Sequence, residues 1–136
     1  MPGTDPLSRV WYSKVGSKLE LVVRGSKLEG YFHSTEGPAG KFEVFGSVDP
    51  DASLPDRALS FSVCWIRSDS SNKYRSVSSY TGQYHRFDDG EEVINTVFLL
   101  VDETGKQFAS TFVGYDNFDT TEPSPEQIKK ARRGKF

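Results

Sequence analysis

The sequence is short of the features that mark several common protein classes. Cys64 is its one cysteine, so no disulfide can form within the chain and folding does not require an oxidising compartment. Its 17 basic and 19 acidic residues give a net charge near −2, whereas non-specific nucleic-acid binders carry a positive excess. No apolar run approaches the ~18 residues of a membrane-spanning helix. We therefore expect a soluble protein that binds neither nucleic acid nor membrane.

The beginning of the chain also lacks a charged segment followed by an apolar run, which is the pattern of a secretory signal peptide. The expected location is the cytoplasm, or outside the cell if a leader was removed. With 136 residues the chain has the size of a single domain. We find neither the spacing of a metal site nor a nucleophile–histidine–acid set, so we expect no metal, no cofactor and no enzymatic activity.

Alternation of apolar and polar residues predicts an all-β fold. Turn signals recur about every 8–12 residues, as they do in β-sandwiches and β-barrels. Gly25 and Ser26 fit a two-residue hairpin turn of type II′, and Pro50 and Pro55 exclude the segment around them from a central strand. Because short loops join sequential strands, we expect an eight-stranded antiparallel up-and-down β-barrel. The predicted strands are residues 10–15, 18–24, 27–34, 41–48, 58–67, 75–85, 91–101 and 108–117.

The last part of the chain carries a helix signal instead. Ser124 supplies an N-cap hydroxyl, Pro125 fits the first helical position, and Gln127 completes a capping box. Lysine and arginine follow toward the end of the predicted helix, residues 125–133, where the helix dipole favours them. We interpret this basic run as a solvated tail, with a functional basic patch as the alternative. The expected organisation is an arm at 1–9, a barrel at 10–118 and a tail at 119–136.

One predicted strand has no continuous apolar face. In residues 75–84, the side chains of Ser76, Ser78 and Tyr80 share one face with Gly82. A barrel strand normally directs apolar side chains into the interior, because side chains alternate along it. If this face points inward, the barrel contains hydroxyl groups and an aromatic ring above a glycine. That arrangement indicates a polar-lined pocket rather than a packed core.

Other strands predict a core and an interface. In residues 58–67, one face is apolar throughout and is expected to fill the barrel, with Trp65 closing one end. The strands at 91–101 and 108–117 are apolar on both faces, and the outer face of a barrel can be buried only by another subunit. We therefore predict an oligomer interface, with scattered surface hydrophobes as the alternative. Its predicted residues are Val97, Leu99, Val101, Val113 and Tyr115.

These segments together resemble the avidin/streptavidin family of biotin-binding barrels. The matching segments run in family order over residues 10–118, and their combination is specific although no single segment is. The tail at 122–128 is similar to the extension of mushroom avidins. The matching segments are Val10-Trp11-Tyr12, Val15-Gly16-Ser17, Leu28-Glu29-Gly30, Val63-Cys64-Trp65, residues 76–83, Ile94-Asn95-Thr96 and residues 113–118.

The resemblance implies that the barrel holds the ureido ring of biotin at its closed end. Ser17 matches a donor to the ureido oxygen. Ser13 stands where the family has asparagine and is shorter, and Phe32 stands where it has tyrosine and lacks the hydroxyl. Ser34 and Asp116 match the acceptors of the two ureido N–H groups.

The rest of the implied site surrounds the other end of biotin. Ser78 matches the hydroxyl beside the thioether sulfur, and Ser76 matches one near the valerate carboxylate. Trp65 is a retained aromatic wall, whereas Tyr80 and Phe98 replace family tryptophans. Two further residues complete the implied set, Val15 in the loop before Ser17 and Phe108 at the place of a lid lent by a neighbouring subunit.

The departures from the family pattern predict weaker binding than in its tightest members. Two changed donors cost roughly 1–3 kcal/mol each and three smaller aromatics about 1 kcal/mol each. Against a ceiling of about −18 to −21 kcal/mol, nanomolar-scale affinity survives such losses. The predicted function is non-catalytic biotin binding by a homotetramer or homodimer, with sequestration of biotin or defence as its role. The alternatives are an avidin-like barrel for another small ligand, such as a sugar or biotin derivative, and an interaction protein with an inert barrel.

Overall fold

The computed structural model describes residues 4–34, 40–66, 75–103 and 111–133. Eight antiparallel strands form a closed barrel in which each strand pairs with the next and β8 returns to pair with β1. The predicted up-and-down barrel and its C-terminal helix are confirmed. The elements are β1 (Val10–Ser13), β2 (Lys18–Arg24), β3 (Lys27–Ser34), β4 (Gly40–Val48), β5 (Asp56–Cys64), β6 (Ser76–Arg86), β7 (Glu92–Asp102), β8 (Thr111–Asp119) and α1 (Pro125–Arg133).

Several strand ends differ from their predicted positions. The first strand was predicted to reach Val15 but ends at Ser13, because the chain turns there. Gly16 has a φ of 97°, in the left-handed region that favours glycine, and its N–H donates to the carbonyl of Ser13 at 3.2 Å. The fifth strand begins at Asp56 rather than at 58, because Arg57 pairs with Tyr84 of β6. Predicted strand residues 67 and 108–110 lie outside the described residues.

The β2–β3 hairpin has the predicted two-residue turn. Arg24 pairs with Lys27, which leaves Gly25 and Ser26 as the turn, and Gly25 has a φ of 63°. A positive φ at the first turn residue matches the twist of the flanking strands and is accessible to glycine without strain.

The inner faces of the strands follow the predicted alternation. Leu59, Phe61 and Val63 of β5 are buried, and the intervening Ser62 and Cys64 are exposed. Ile94 and Thr96 of β7 are likewise buried. The core therefore lies inside the barrel, and it extends to Trp65, which is also buried just beyond β5.

The arm before β1 is part of this core, which the sequence did not predict. Leu7 is fully buried, and its carbonyl accepts a hydrogen bond from Trp11 Nε1 at 3.1 Å. Asp5 binds the fully buried Arg57 through two hydrogen bonds of 2.7 Å each, and Arg57 also donates to the carbonyl of Asp49. The arm is thus attached to the barrel by a paired, hydrogen-bonded buried charge.

The pairing with Arg57 also keeps Asp5 ionised. Burial would raise the pKa of Asp5, but the hydrogen bonds from Arg57 and from the N–H of Leu7, with the positive charge of Arg57, outweigh it. The net effect lowers the pKa of Asp5 below its ordinary value. Asp5 is therefore a carboxylate at neutral pH, which is the form that the buried guanidinium needs.

The helix α1 begins with the predicted capping box. The N–H of Gln127 donates to Ser124 Oγ at 3.1 Å, and the N–H of Ser124 donates to Gln127 Oε1 at 2.8 Å. These reciprocal bonds satisfy groups that a helix start otherwise leaves unpaired. Within the described residues, no helix is both long and apolar enough to cross a membrane.

Candidate functional site

The inner face of β6 carries the polar residues that the sequence singled out. Ser76 and Ser78 are 4% and 0% exposed, and Tyr80 on the same face is buried too. Trp65 Nε1 donates to Ser78 Oγ at 2.7 Å, which connects the residue after β5 to this face. Buried hydroxyls are normally hydrogen-bonded, so a polar inner face is a specialised arrangement in a small barrel. The predicted inward orientation of these three residues is confirmed.

Five aromatic rings lie against one another beside these hydroxyls. Tyr80 stacks on Phe61 with ring centroids 4.7 Å apart, and its ring lies 5.2 Å from that of Phe98 and 5.9 Å from that of Phe32. Phe32 in turn meets the edge of Trp65 at 5.2 Å. Offset and edge-to-face contacts of this kind are the favoured aromatic geometries. The rings of β3, β5, β6 and β7 therefore form a continuous apolar wall inside the barrel.

One small residue makes room for this wall. The ring of Phe98 lies over Gly114 of β8, and a Cβ atom at Gly114 would come within 2.7 Å of the ring. Cross-strand pairing places the two residues directly opposite each other. Any larger residue at Gly114 would thus push Phe98 toward Tyr80.

The negative charge of Asp116 also affects the pKa of Tyr80. Burial raises the pKa of Tyr80 well above its ordinary value, the negative charge of Asp116 raises it further, and a hydrogen bond with Ser78 acts in the opposite direction. Tyr80 is consequently a neutral phenol at any physiological pH. Its hydroxyl and the Asp116 carboxylate provide a donor and an acceptor in the same region.

Asp116 is held in place through its backbone. It is half-buried in β8, opposite Thr96 of β7, and the buried Thr96 hydroxyl donates to the carbonyl of Asp116 at 2.7 Å. Asp116 also lines a cleft of about 350 Å³ together with Ser13 and Val15. Closure of the barrel between β8 and β1 therefore brings Asp116 near the β1–β2 loop.

A second group of hydroxyls lies where β1 ends and in the loop that follows it, residues 14–17. Ser13 and Ser17 are buried, and the N–H of Ser17 donates to Ser13 Oγ at 3.0 Å. The N–H of Ser13 donates in turn to the carbonyl of Ser17 at 3.0 Å. The shorter serine at position 13 therefore stabilises the turn, while its hydroxyl hydrogen remains available for donation.

The predicted site residues thus fall into three groups. Those with buried side chains are Ser13, Ser17, Phe32, Trp65, Ser76, Ser78 and Tyr80. Those with half-buried side chains are Val15, Ser34, Phe98 and Asp116. Phe108 lies outside the described residues.

Three aromatic residues of the wall were not predicted as site residues. Phe42 meets Trp65 at 4.9 Å, and Phe118 meets Phe32 at 6.2 Å. Phe61, described above, was predicted only as core. Cross-strand pairing would have identified Phe42, since it lies directly opposite Phe32. Across the described ranges, no group of three or more potential metal ligands comes together.

The outer face of β7 and β8 exposes the apolar residues that the sequence indicated. Val113 and Tyr115 are 71% and 79% exposed, and they pair across the strands with the exposed Leu99 and Val97. Val101 is exposed on the same outer face, beside Val77 of β6. Monomeric soluble proteins rarely expose a contiguous apolar patch of this kind.

With this geometry in place, comparison with known families is decisive. A family model described as the avidin family matches residues 2–121. The chain belongs to the avidin family. The match covers the buried arm and all eight strands, so the resemblance noted in the sequence is confirmed. The helix α1 of this avidin-family chain begins after the matched residues. No curated protein matches the chain closely enough to count as a relative.

Proposed function

We propose that this protein binds biotin, without catalysis, inside the barrel. Family membership supports a small-molecule binder of this kind. The observation that carries the proposal is the polar inner face of β6, where Ser76 and Ser78 are buried beside a wall of aromatic rings. A site with a few fixed polar groups among apolar surfaces is the general form of a small-molecule pocket.

The ureido group of biotin has one carbonyl oxygen and two N–H groups to satisfy. In the proposed complex, Ser17 and the remaining hydrogen of the Ser13 hydroxyl donate to the oxygen. Asp116 and Ser34 accept from the N–H groups, and the carboxylate form of Asp116 makes its bond charge-assisted and thus stronger than a neutral one.

The thioether ring and the valerate chain lie along the aromatic wall. Ser78 faces the sulfur, Ser76 lies near the valerate carboxylate, and Trp65, Tyr80 and Phe98 contact the apolar atoms. Phe32 contributes a ring but no hydroxyl, so the ureido oxygen accepts one hydrogen bond fewer. The proposed affinity is therefore lower than that of the tightest biotin binders, and Phe108 of a neighbouring subunit supplies the lid.

We propose further that the protein is a homo-oligomer, a tetramer or a dimer, assembled through the outer face of β7 and β8. The exposed Leu99, Val113 and Tyr115 support this assignment, because their burial against a second copy removes apolar surface from water. Sequestration of biotin from competitors or pests is the role that such a binder would serve.

A thermal-shift panel tests the choice of ligand. Biotin, desthiobiotin, biotin methyl ester and several monosaccharides are added to the protein at equal concentrations. A ligand that binds only the folded state stabilises it by about 2.7 kcal/mol at a hundred times its Kd, so a true ligand raises Tm clearly. Biotin is expected to give the largest rise.

A second candidate ligand class is favoured by Phe32, whose missing hydroxyl weakens ureido recognition in particular. If a sugar or a biotin derivative raises Tm and biotin does not, this second class replaces the first. No shift with any ligand would leave an interaction protein with an inert barrel.

A further inference from the structure

Arg132 of α1 contacts the β1–β2 loop, which follows Ser13 and carries Val15 and Ser17. Arg132 donates to the carbonyl of Val15 from both Nε, at 3.3 Å, and a terminal nitrogen, at 3.1 Å. The two residues are 117 positions apart in the sequence, so this is a tertiary contact and not a local one. It joins an element beyond the family match to a loop inside it.

The shape of the loop is fixed by its own hydrogen bonds. Ser13 accepts from the N–H groups of Gly16 and Ser17, and Ser17 accepts from the N–H of Ser13. None of these bonds involves Val15, which lies at the tip of the turn. Arg132 therefore supplies what the internal bonds do not, an attachment of the tip to another element of the fold.

The helix is well placed to hold that attachment. Its start is fixed by the Ser124–Gln127 capping box, and Gln127 and Lys130 line a cleft of about 350 Å³ together with Ser13 and Lys14. Arg132 is half-buried, whereas the adjacent Arg133 is exposed. Of the two neighbouring arginines, only Arg132 therefore has the burial of a structural contact.

We propose that Arg132 is a positioning residue that holds the β1–β2 loop in place and thereby slows release of the ligand. The inference rests on the proposed function, since it assumes that Ser13 and Ser17 contact biotin. Ligand release requires the bonds from these serines to break, and a loop that moves more freely breaks them more often. Arg132 itself touches the loop carbonyl and not the ligand.

The test uses the full-length chain and two matched variants, Arg132→Ala and Arg133→Ala, which remove the same charge from the same helix. Biotin association and dissociation rates are measured by stopped-flow or surface plasmon resonance. We expect R132A to raise the dissociation rate about five-fold with little change in association, because losses of bound-state contacts appear mainly in the off-rate. R133A should match the parent protein, and R132K, which keeps one donor to the carbonyl, should lie between.

Hydrogen exchange without ligand gives an independent reading of the loop. The amides of Gly16 and Ser17 should exchange faster in R132A than in R133A, because their hydrogen bonds open when the tip is released. Equal exchange and equal dissociation rates in the two variants would overturn the proposal. Faster exchange with an unchanged dissociation rate would overturn the role in release.

The same design separates this proposal from the proposed function. If the parent protein does not bind biotin at all, the proposed function fails, and the role of Arg132 in biotin release fails with it. The exchange measurement then still decides whether Arg132 holds the loop. If the parent protein binds biotin and R132A releases it no faster than R133A, the proposed function stands and this inference alone is wrong.

Discussion

The indole N–H of Trp65 donates to the hydroxyl of Ser78 across 2.7 Å, and both side chains are buried. This bond fixes an aromatic wall to the polar inner face of β6. A hydroxyl that accepts one hydrogen bond still has its own hydrogen to donate. Ser78 therefore orients Trp65 and, through its hydrogen bond with Tyr80, connects the indole to the phenol.

Replacement of Ser78 by alanine should destabilise the protein and weaken biotin binding together. The buried Trp65 N–H loses its acceptor, and an unsatisfied buried donor costs about 1–3 kcal/mol in the free energy of unfolding. Chemical denaturation measures this loss. Ser79→Ala, at the adjacent exposed position, should change the free energy of unfolding little, and equal effects of the two substitutions would contradict the assigned role of Ser78.

Replacement of Phe32 by tyrosine should tighten biotin binding. The added hydroxyl restores a donor toward the ureido oxygen, and a net hydrogen bond of about 0.5–1.5 kcal/mol corresponds to roughly two- to ten-fold in Kd. Calorimetry or competition binding measures the change. Phe42→Tyr adds the same atom at the buried position directly opposite in β4 and should not tighten binding. A Phe32→Tyr variant that binds biotin no better than the parent would argue against the proposed ligand pose.

The sequence predicted the barrel and the orientation of its inner residues because both depend on local patterns. Alternation in β5 and β6 determined which side chains face inward, and the capping box at Ser124 lies within a few residues. The stacking of Phe32 on Tyr80 was not predictable in this way. Alternation along a strand indicates which face a side chain occupies, but not how far it lies from a ring on another strand.

The attachment of the arm was not predictable for a related reason. Arg57 and Asp5 are 52 positions apart, and a charged residue on the inner face of β5 looks like an interruption of the apolar pattern. Only the tertiary structure provides the partner that makes burial of this charge acceptable. The contact between Arg132 and Val15 is of the same kind.

The pair formed by Asp5 and Arg57 should make the free energy of unfolding depend on pH in the acid range. Because the folded protein lowers the pKa of Asp5, its contribution is present above the unfolded pKa of about 4 and is lost as the pH falls through the lower folded value. Asp5→Asn should cost about 3–5 kcal/mol at neutral pH, because it leaves Arg57 buried without its counter-ion.

Denaturation curves at neutral and strongly acid pH measure this dependence. The difference in the free energy of unfolding between the parent and Asp5→Asn should be smaller at acid pH, because the carboxyl group of the parent is then protonated. Asp88→Asn, in the exposed β6–β7 turn, serves as the control and should follow the parent at both pH values. A difference that does not change with pH would show that the pair acts through packing alone.

A charge on the outer face of β8 should disrupt the proposed assembly. Val113 is exposed in the single chain and lies opposite Leu99, so Val113→Glu would bury a charge in the proposed interface. Analytical ultracentrifugation should find a dimer or tetramer for the parent and a smaller species for V113E. Phe45→Glu, at an exposed apolar residue on β4, should leave the assembly intact. A monomeric parent protein would contradict the interface.

The most direct test of the account is a calorimetric titration of the purified protein with biotin, carried out in parallel on Asp116→Ala and on Asp88→Ala. We predict saturable heat with one biotin per chain for the parent and for D88A. Asp116→Ala should lose most of the heat, because it removes the charged acceptor of a ureido N–H. The absence of heat with the parent protein, or equal binding by D116A, would contradict the central claim that this barrel is a biotin site.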